Sequence, residues 1–206
     1  MTSNSPSHKN VRFYTLGCKV NQYETQAMRE ALERKGYRDI EGQKGVPCDL
    51  VVVNTCTVTQ DSDRTNRYWI RRLRREHPQA RLAVTGCYVE KNRTELEAMP
   101  EVDLIFSNSE KAFLPEKLLG PTDTCGGAHL NTAAFMPLSI SRSEGRTRAY
   151  VKVQDGCNHA CSFCKVSIVR GPSRSRALSD ILEEVTRLRD GGYREIILAG
   201  IQLGAY

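Results

Sequence analysis

No stretch of this 206-residue chain comes near the ~20 consecutive apolar residues that span a bilayer; the longest runs lie around residues 50–53 and 196–199. The first ten residues are polar and serine-rich and lack the apolar core of a secretory signal. Together these absences predict a cytoplasmic chain with no membrane partner. Disulfides are out of place in that reducing compartment, so the eight cysteines point to metal or redox chemistry. An acidic excess is missing too: a formal net charge of +6 suggests an anionic partner. Hydrophobic content of 39% suffices for a globular core, and the length suits one large or two small domains.

A further absence is chemical. Cys157, Cys161 and Cys164 form a C-x3-C-x2-C loop of three thiols with no fourth. Structural zinc wants four closed tetrahedral ligands and electron-transfer clusters usually take a fourth cysteine, so three thiolates leave one iron of a cluster open. His159 is chemically available to complete a zinc knuckle, but it lies between two cysteines that it would have to join at one metal, which strains the loop. With Phe163 directly before the last cysteine, the loop resembles the radical S-adenosylmethionine (SAM) pattern, C-x3-C-x-aromatic-C. That resemblance implies a [4Fe-4S] cluster whose open iron binds the amino and carboxylate groups of SAM. It also implies one-electron cleavage of the sulfonium to a 5′-deoxyadenosyl radical, with Phe163 near the adenine.

The first 120 residues alternate. Strand-like segments fall at residues 11–16, 50–53, 81–85 and 103–106, and helical ones at 23–35, 62–76, 94–99 and 111–119. The first helix carries Ala27, Met28, Ala31 and Leu32 on one stripe and stops at Gly36. The continuous apolar run at 50–53 suits a strand buried on both faces. Such alternation predicts an α/β fold: a doubly wound parallel sheet domain over residues 11–119, preceded by a disordered tail at 1–10. Residues 120–148, rich in Pro, Gly, Thr and Ser, read as a linker. A strand at 149–153, the cysteine loop, a helix at 179–190 and a strand at 195–199 then make one βαβ unit. One such unit leaves sheet faces and edges uncovered, so residues 149–206 are expected to be the truncated start of a radical SAM (βα) barrel, inactive alone.

This rhythm gives three other cysteines a geometry. Cys18, Cys56 and Cys87 follow the first, second and third predicted strands, and in a parallel sheet those loops emerge at the carboxyl edge, where open α/β folds bind ligands. Free cysteine also packs as a small hydrophobe, but loop positions after three successive strands favour a second three-cysteine site. Cys48, ahead of its strand, and Cys125, in the linker, read as plain thiols.

Four segments are together similar to the ordered landmarks of the radical SAM methylthiotransferases: Leu16-Gly17-Cys18-Lys19-Val20-Asn21-Gln22-Tyr23-Glu24, Asn54-Thr55-Cys56-Thr57-Val58, Thr85-Gly86-Cys87-Tyr88 and Gln154-Asp155-Gly156-Cys157-Asn158. The resemblance implies two [4Fe-4S] clusters, one on Cys18, Cys56 and Cys87 and one on Cys157, Cys161 and Cys164, with a β-rich RNA-binding module further on. It also implies that one SAM methylates a sulfur at the first cluster while another yields the radical at the second, without a side-chain general base. Residues 19–24 resemble the branch that methylthiolates threonylcarbamoyladenosine beside the tRNA anticodon; the isopentenyladenosine branch and the branch acting on a ribosomal-protein aspartate differ there. The implied partners are the tRNA anticodon loop, an electron donor such as a flavodoxin or ferredoxin, and a sulfur donor. Two departures stand out. Lys165-Val166-Ser167-Ile168-Val169 replaces the family's usual apolar, proline-containing stretch, and Ala199-Gly200-Ile201-Gln202 stands where other radical SAM enzymes carry Gly-Gly-Glu. Gly200 and Gln202 therefore join Phe163 as SAM-contact candidates.

The helix at 62–76 places Trp69, Ile70 and Leu73 on one face and Arg64, Arg67, Arg71, Arg74 and Arg75 on the opposite sector. Such a stripe is either a solvated surface or a phosphate-binding face. Arg170, Arg174 and Arg176 form a second basic candidate beside the cysteine loop, placed to meet substrate RNA or the SAM carboxylate. Two readings compete with the tRNA enzyme: the same chemistry on a ribosomal protein, and a non-catalytic zinc and nucleic-acid module built on Cys157, His159, Cys161 and Cys164.

Overall fold

The computed structural model describes residues 8–43, 45–57, 59–119, 135–143, 145 and 147–206. Nine segments build the first unit: β1 (Lys9–Thr15), α1 (Lys19–Arg34), β2 (Tyr37–Asp39), β3 (Leu50–Thr55), α2 (Gln60–Glu76), β4 (Arg81–Gly86), α3 (Cys87–Glu97), β5 (Leu104–Phe106) and α4 (Leu114–Leu119). The five strands form one parallel sheet in the order β2-β1-β3-β4-β5. β3 lies at its centre and every residue of it is buried. Burying each of its β-branched side chains from Val51 to Val53 contributes about 1.5–3 kcal/mol. Met28 and Leu32 of α1 with Leu114 and Leu118 of α4 cover one face, and Ile70 and Leu73 of α2 with Tyr88, Val89 and Leu96 of α3 cover the other. This is the doubly wound architecture that the alternation predicts.

Local chemistry sets the element ends. Thr59 caps α2 by accepting the Ser62 amide at 3.0 Å, with Asp61 and Asp63 in the first turn and Arg74 and Arg75 in the last, complementing the helix dipole. Several boundaries differ from expectation. Lys9 and Asn10 belong to β1 rather than to a tail. β2, three residues at the sheet edge, is too short for a periodicity signal. The helix expected at residues 94–99 starts at Cys87, because Gly86 takes φ 103°, closed to ordinary side chains, and turns β4 straight into α3.

In the second unit, β6 (Ala149–Lys152) pairs in parallel with β9 (Ile196–Ala199), and α6 (Leu178–Asp190) crosses between them. A short antiparallel pair, β7 (Gln154–Asp155) with β8 (Arg174–Ser175), closes the base of the cysteine loop, which also contains α5 (Val166–Arg170). Part of the expected linker is packed structure: Leu138 and Ile140 join Tyr23 and Ala27 of α1 and Ala149 and Val151 of β6 in one core. Residues 120–134, Cys125 among them, lie outside the described residues. Helix α1 is thereby enclosed on both sides. Its apolar stripe faces the sheet, while its polar positions Asn21, Glu24, Gln26, Arg29 and Glu30 are buried too. Glu30 accepts the Ser141 amide and Arg142 pairs with Glu33, tying this helix to the segment before β6.

Candidate metal centres

Cys18, Cys56 and Cys87 stand at the carboxyl ends of the adjacent strands β1, β3 and β4. The strand order reverses between β1 and β3, which opens a crevice there, the usual ligand position in such sheets. Cys18 is the N-cap of α1 and Cys87 the first residue of α3, so two of the three cysteines sit at helix N-termini. Two glycines let the loops close on each other. A Cβ on Gly17, at φ 102°, would lie 2.5 Å from Cys56 Cβ and 2.8 Å from its sulfur. One on Gly86 would lie 2.5 Å from the Thr55 nitrogen and 2.7 Å from Asn54 Oδ1. The Cys56 loop therefore abuts both neighbours. Cys56 and Cys87 are buried, Cys18 is exposed, and all three are free thiols.

The second triad lies on a loop held from beneath. Gln154 Nε2 donates to the Gly156 carbonyl at 2.7 Å and to Ser173 Oγ at 3.0 Å, and its Oε1 accepts the Gln202 amide at 2.7 Å. The Cys157 amide donates to the Gly171 carbonyl at 3.1 Å. Gln202 Oε1 accepts from the Cys157 thiol at 3.1 Å, and its Nε2 is 2.6 Å from His159 Nε2. A Cβ on Gly200 would meet Gln154 at 3.1 Å, so Gly200 serves this close packing and Gln202 reaches the first cysteine. Phe163 projects outward, 88% exposed. The unusual stretch after Cys164 becomes α5, which leaves Ile168 outside and turns Arg170 inward.

Among the described residues no three His, Cys, Asp or Glu side chains are already gathered at metal-holding distance. In donor type the six thiols nonetheless suit iron–sulfur ligation. Each triad supplies three sulfurs, one set from touching loops at the sheet edge and one from a single braced loop, and neither includes a fourth thiol.

Beside the Cys87 sulfur lies a buried ionic network for which the sequence carries no local signal. Glu24 accepts from Lys111 Nζ at 2.5 Å, Lys152 Nζ at 2.7 Å and Arg170 Nη1 at 2.5 Å. Lys152 also meets Asp155 at 2.6 Å, and Arg170 Nη2 donates to Asn21 Oδ1 at 2.5 Å. Arg170 Nε reaches the Cys87 sulfur at 3.1 Å. Burial alone would push the Glu24 carboxyl up, but Arg170, Lys111 and Lys152 outweigh it and hold it well below the usual carboxylate range. Asp155 is likewise held low, burial being overcome by Lys152 and Arg170. Burial depresses Lys111, with Arg170 adding repulsion. A parallel knot joins Tyr23, Arg176 and Glu184; burial first and Glu184 second push the Tyr23 phenol up.

These contacts correct the basic-residue expectations. Arg170 and Arg176 are buried and Arg174 is turned toward the Arg170 carbonyl and Asp155, so these three do not form an RNA-facing patch. On α2, Arg67 pairs with Tyr88 and Glu95, Arg71 with Glu101, and Arg74 with the Glu101 and Ala80 carbonyls and Asp103. Arg64 and Arg75 have no ionic partner among the described residues. Cys48 donates to the Leu50 carbonyl at 3.0 Å and burial raises its thiol, as suits a plain structural cysteine. Among the described residues no helix is long and apolar enough to cross a membrane.

Comparison with known proteins gives two family matches in the same order as the two units. The profile described as "Uncharacterized protein family UPF0004" covers residues 10–107, and that of the radical SAM superfamily covers residues 151–202. The protein named threonylcarbamoyladenosine tRNA methylthiotransferase MtaB of Chlamydia pneumoniae is 39% identical over 93% of this chain and 43% of its own length. Its namesake in Bacillus subtilis is 38% identical over 95% of this chain and 44% of its own. Among solved structures, the radical SAM methyltransferase TsrM of Kitasatospora setae matches with a TM-score of 0.57 at 14% identity, over 95% of this chain and 48% of that one. That likeness concerns the fold. The chain spans about half the length of the curated relatives it matches.

Proposed function

The chain belongs to the radical SAM methylthiotransferase family, and from that premise we propose that it carries both iron–sulfur sites of a tRNA methylthiotransferase acting on threonylcarbamoyladenosine beside the anticodon. The observation that carries this reading is the contact between the second loop and the first set of cysteines, with Arg170 Nε 3.1 Å from the Cys87 sulfur. The printed names of the relatives and the wording of residues 19–24 support the nucleoside.

Bound clusters would supply what no acid or base side chain offers near neutral pH, a radical able to replace an unreactive ring hydrogen and a sulfur to put in its place. The chain's own residues position and protect. Cys18, Cys56 and Cys87 would hold one cluster in the sheet-edge crevice; Cys157, Cys161 and Cys164 would hold the other, each set leaving one iron without a protein ligand. Gln154 fixes the base of the second loop, and Gln202 and Gly200 line the approach to Cys157. The outward Phe163 ring is available to stack on the adenine of SAM. Arg64 and Arg75 are the phosphate-contact candidates left on α2. A cytoplasmic setting, a flavodoxin- or ferredoxin-like electron donor and a separate sulfur donor complete the proposal.

Mass analysis of tRNA nucleosides from a strain lacking the gene tests it. The methylthio form of threonylcarbamoyladenosine should vanish and its unmodified parent accumulate, with restoration by the intact gene but not by its Cys161→Ala form. Loss of the methylthio group from isopentenyladenosine, or from a ribosomal protein, would assign a different substrate.

A further inference from the structure

The buried charges beside Cys87 do not balance among themselves. Glu24 and Asp155 provide two carboxylates, while Lys111, Lys152 and Arg170 provide three cations, all with side chains at most 5% exposed. Among the described residues no third carboxylate meets these three cations; the nearby Glu110 is committed to Lys117 and the Ser107 amide. A buried charge without a counter-charge is costly. Arg170 also reaches outside this set, its Nε donating to the Cys87 sulfur at 3.1 Å.

Resting on the cluster reading above, we propose that Arg170 is a positioning residue shared by the two cysteine sites, whose N–H and positive charge on Cys87 stabilise the reduced state of the cluster held by Cys18, Cys56 and Cys87. Hydrogen bonds to ligand sulfurs, local charge and burial are what set the potential of such a cluster. Reduction adds one negative charge at a site where the guanidinium is not screened by water, so Arg170 raises the potential. The residue also comes from the loop of the other triad, six positions after Cys164, so the second loop tunes the first site only when it is seated.

The test uses this chain with Cys157, Cys161 and Cys164 all changed to Ala, so that iron binds only at the first triad. The protein is loaded anaerobically with iron and sulfide, its iron counted, and the one-electron couple titrated with dithionite under paramagnetic resonance. Arg170→Gln leaves two carboxylates against Lys111 and Lys152, a balanced buried set that favours folding. It should shift the reduction equilibrium at least about tenfold toward the oxidised form, a potential lower by about 59 mV. Arg170→Lys, which keeps the charge, should restore most of that shift, a rescue that a merely structural role does not require. Lys111→Met removes a neighbouring cation without touching the sulfur and should lower the potential by less; this variant carries the test if Arg170→Gln does not fold. Iron loading with an unshifted potential in these variants would overturn the proposal alone. No iron at the first triad would overturn it together with the cluster reading.

Discussion

Replacing Glu24 by Gln is the perturbation to which the structure assigns the largest effect outside the cysteines. The carboxylate is fully buried and neutralises parts of Lys111, Lys152 and Arg170 at 2.5–2.7 Å. Glutamine keeps the shape but leaves three cations facing Asp155 alone. Removing one partner of a buried ion pair costs about 3–5 kcal/mol, because the other charge stays desolvated. A domain of this size loses about 2–4 °C of melting temperature per kcal/mol, so the apo protein should melt roughly 6–20 °C lower by circular dichroism in reductant at pH 7. Glu76→Gln, which breaks the exposed Arg72–Glu76 pair on α2, should leave the melting temperature unchanged. The acid limb adds a second readout. The folded-state values of Glu24 and Asp155 lie below their ordinary ones near 4.5 and 3.8, so their contribution is complete above those values and is lost as pH falls below them. Glu24→Gln should therefore flatten part of the acid-induced loss. A variant that melts with the parent, with an unchanged acid limb, would refute the placement of this carboxylate at the centre of the interface.

Gly86→Ala should destabilise by at least about 1–3 kcal/mol, since φ 103° is strained for alanine, and should also lower iron at the first triad because the new Cβ pushes into the Cys56 loop. Its check is urea denaturation alongside iron analysis. Arg64→Ala and Arg75→Ala should each reduce the salt dependence of tRNA binding by about one counterion without changing the melt. Arg74→Ala should behave the opposite way, losing about 1–3 kcal/mol by unpairing the Glu101 and Ala80 carbonyls while leaving the salt slope alone. Tyr23→Phe should lower stability by about 1 kcal/mol, since it removes the one hydroxyl proton, which lies 2.7 Å from the Leu138 carbonyl and 3.1 Å from Glu184 when measured from the oxygen.

The first unit was legible because its signals are local. The apolar run of β3 and the stripe of α1 announce themselves within a few residues, and the cysteines after successive strands follow from the topology. The polar side of α1 was not legible. In isolation Asn21, Glu24 and Gln26 look like a solvated face, and nothing nearby in sequence reveals their cover, since Glu24 finds its cations 87, 128 and 146 positions away. The same distance effect misassigned Arg170 and Arg176: basic residues beside a cysteine loop suggest a ligand, yet their carboxylate partners turn them inward. Conversely, the arginines of α2 do follow the predicted stripe, but the acids that occupy most of them come from around α3 and β5. Local pattern thus places the cysteines at strand ends and in one loop, and long-range charge pairing decides what surrounds them.

Iron content after anaerobic loading bears most directly on the central claim that two triads hold two clusters. The account predicts about eight iron atoms and eight sulfides per chain. That loading should fall by half with Cys56→Ala, by half with Cys161→Ala, and to near zero with both. Four iron atoms in the unaltered chain, or tight zinc at Cys157, His159, Cys161 and Cys164 without a brown chromophore, would contradict it.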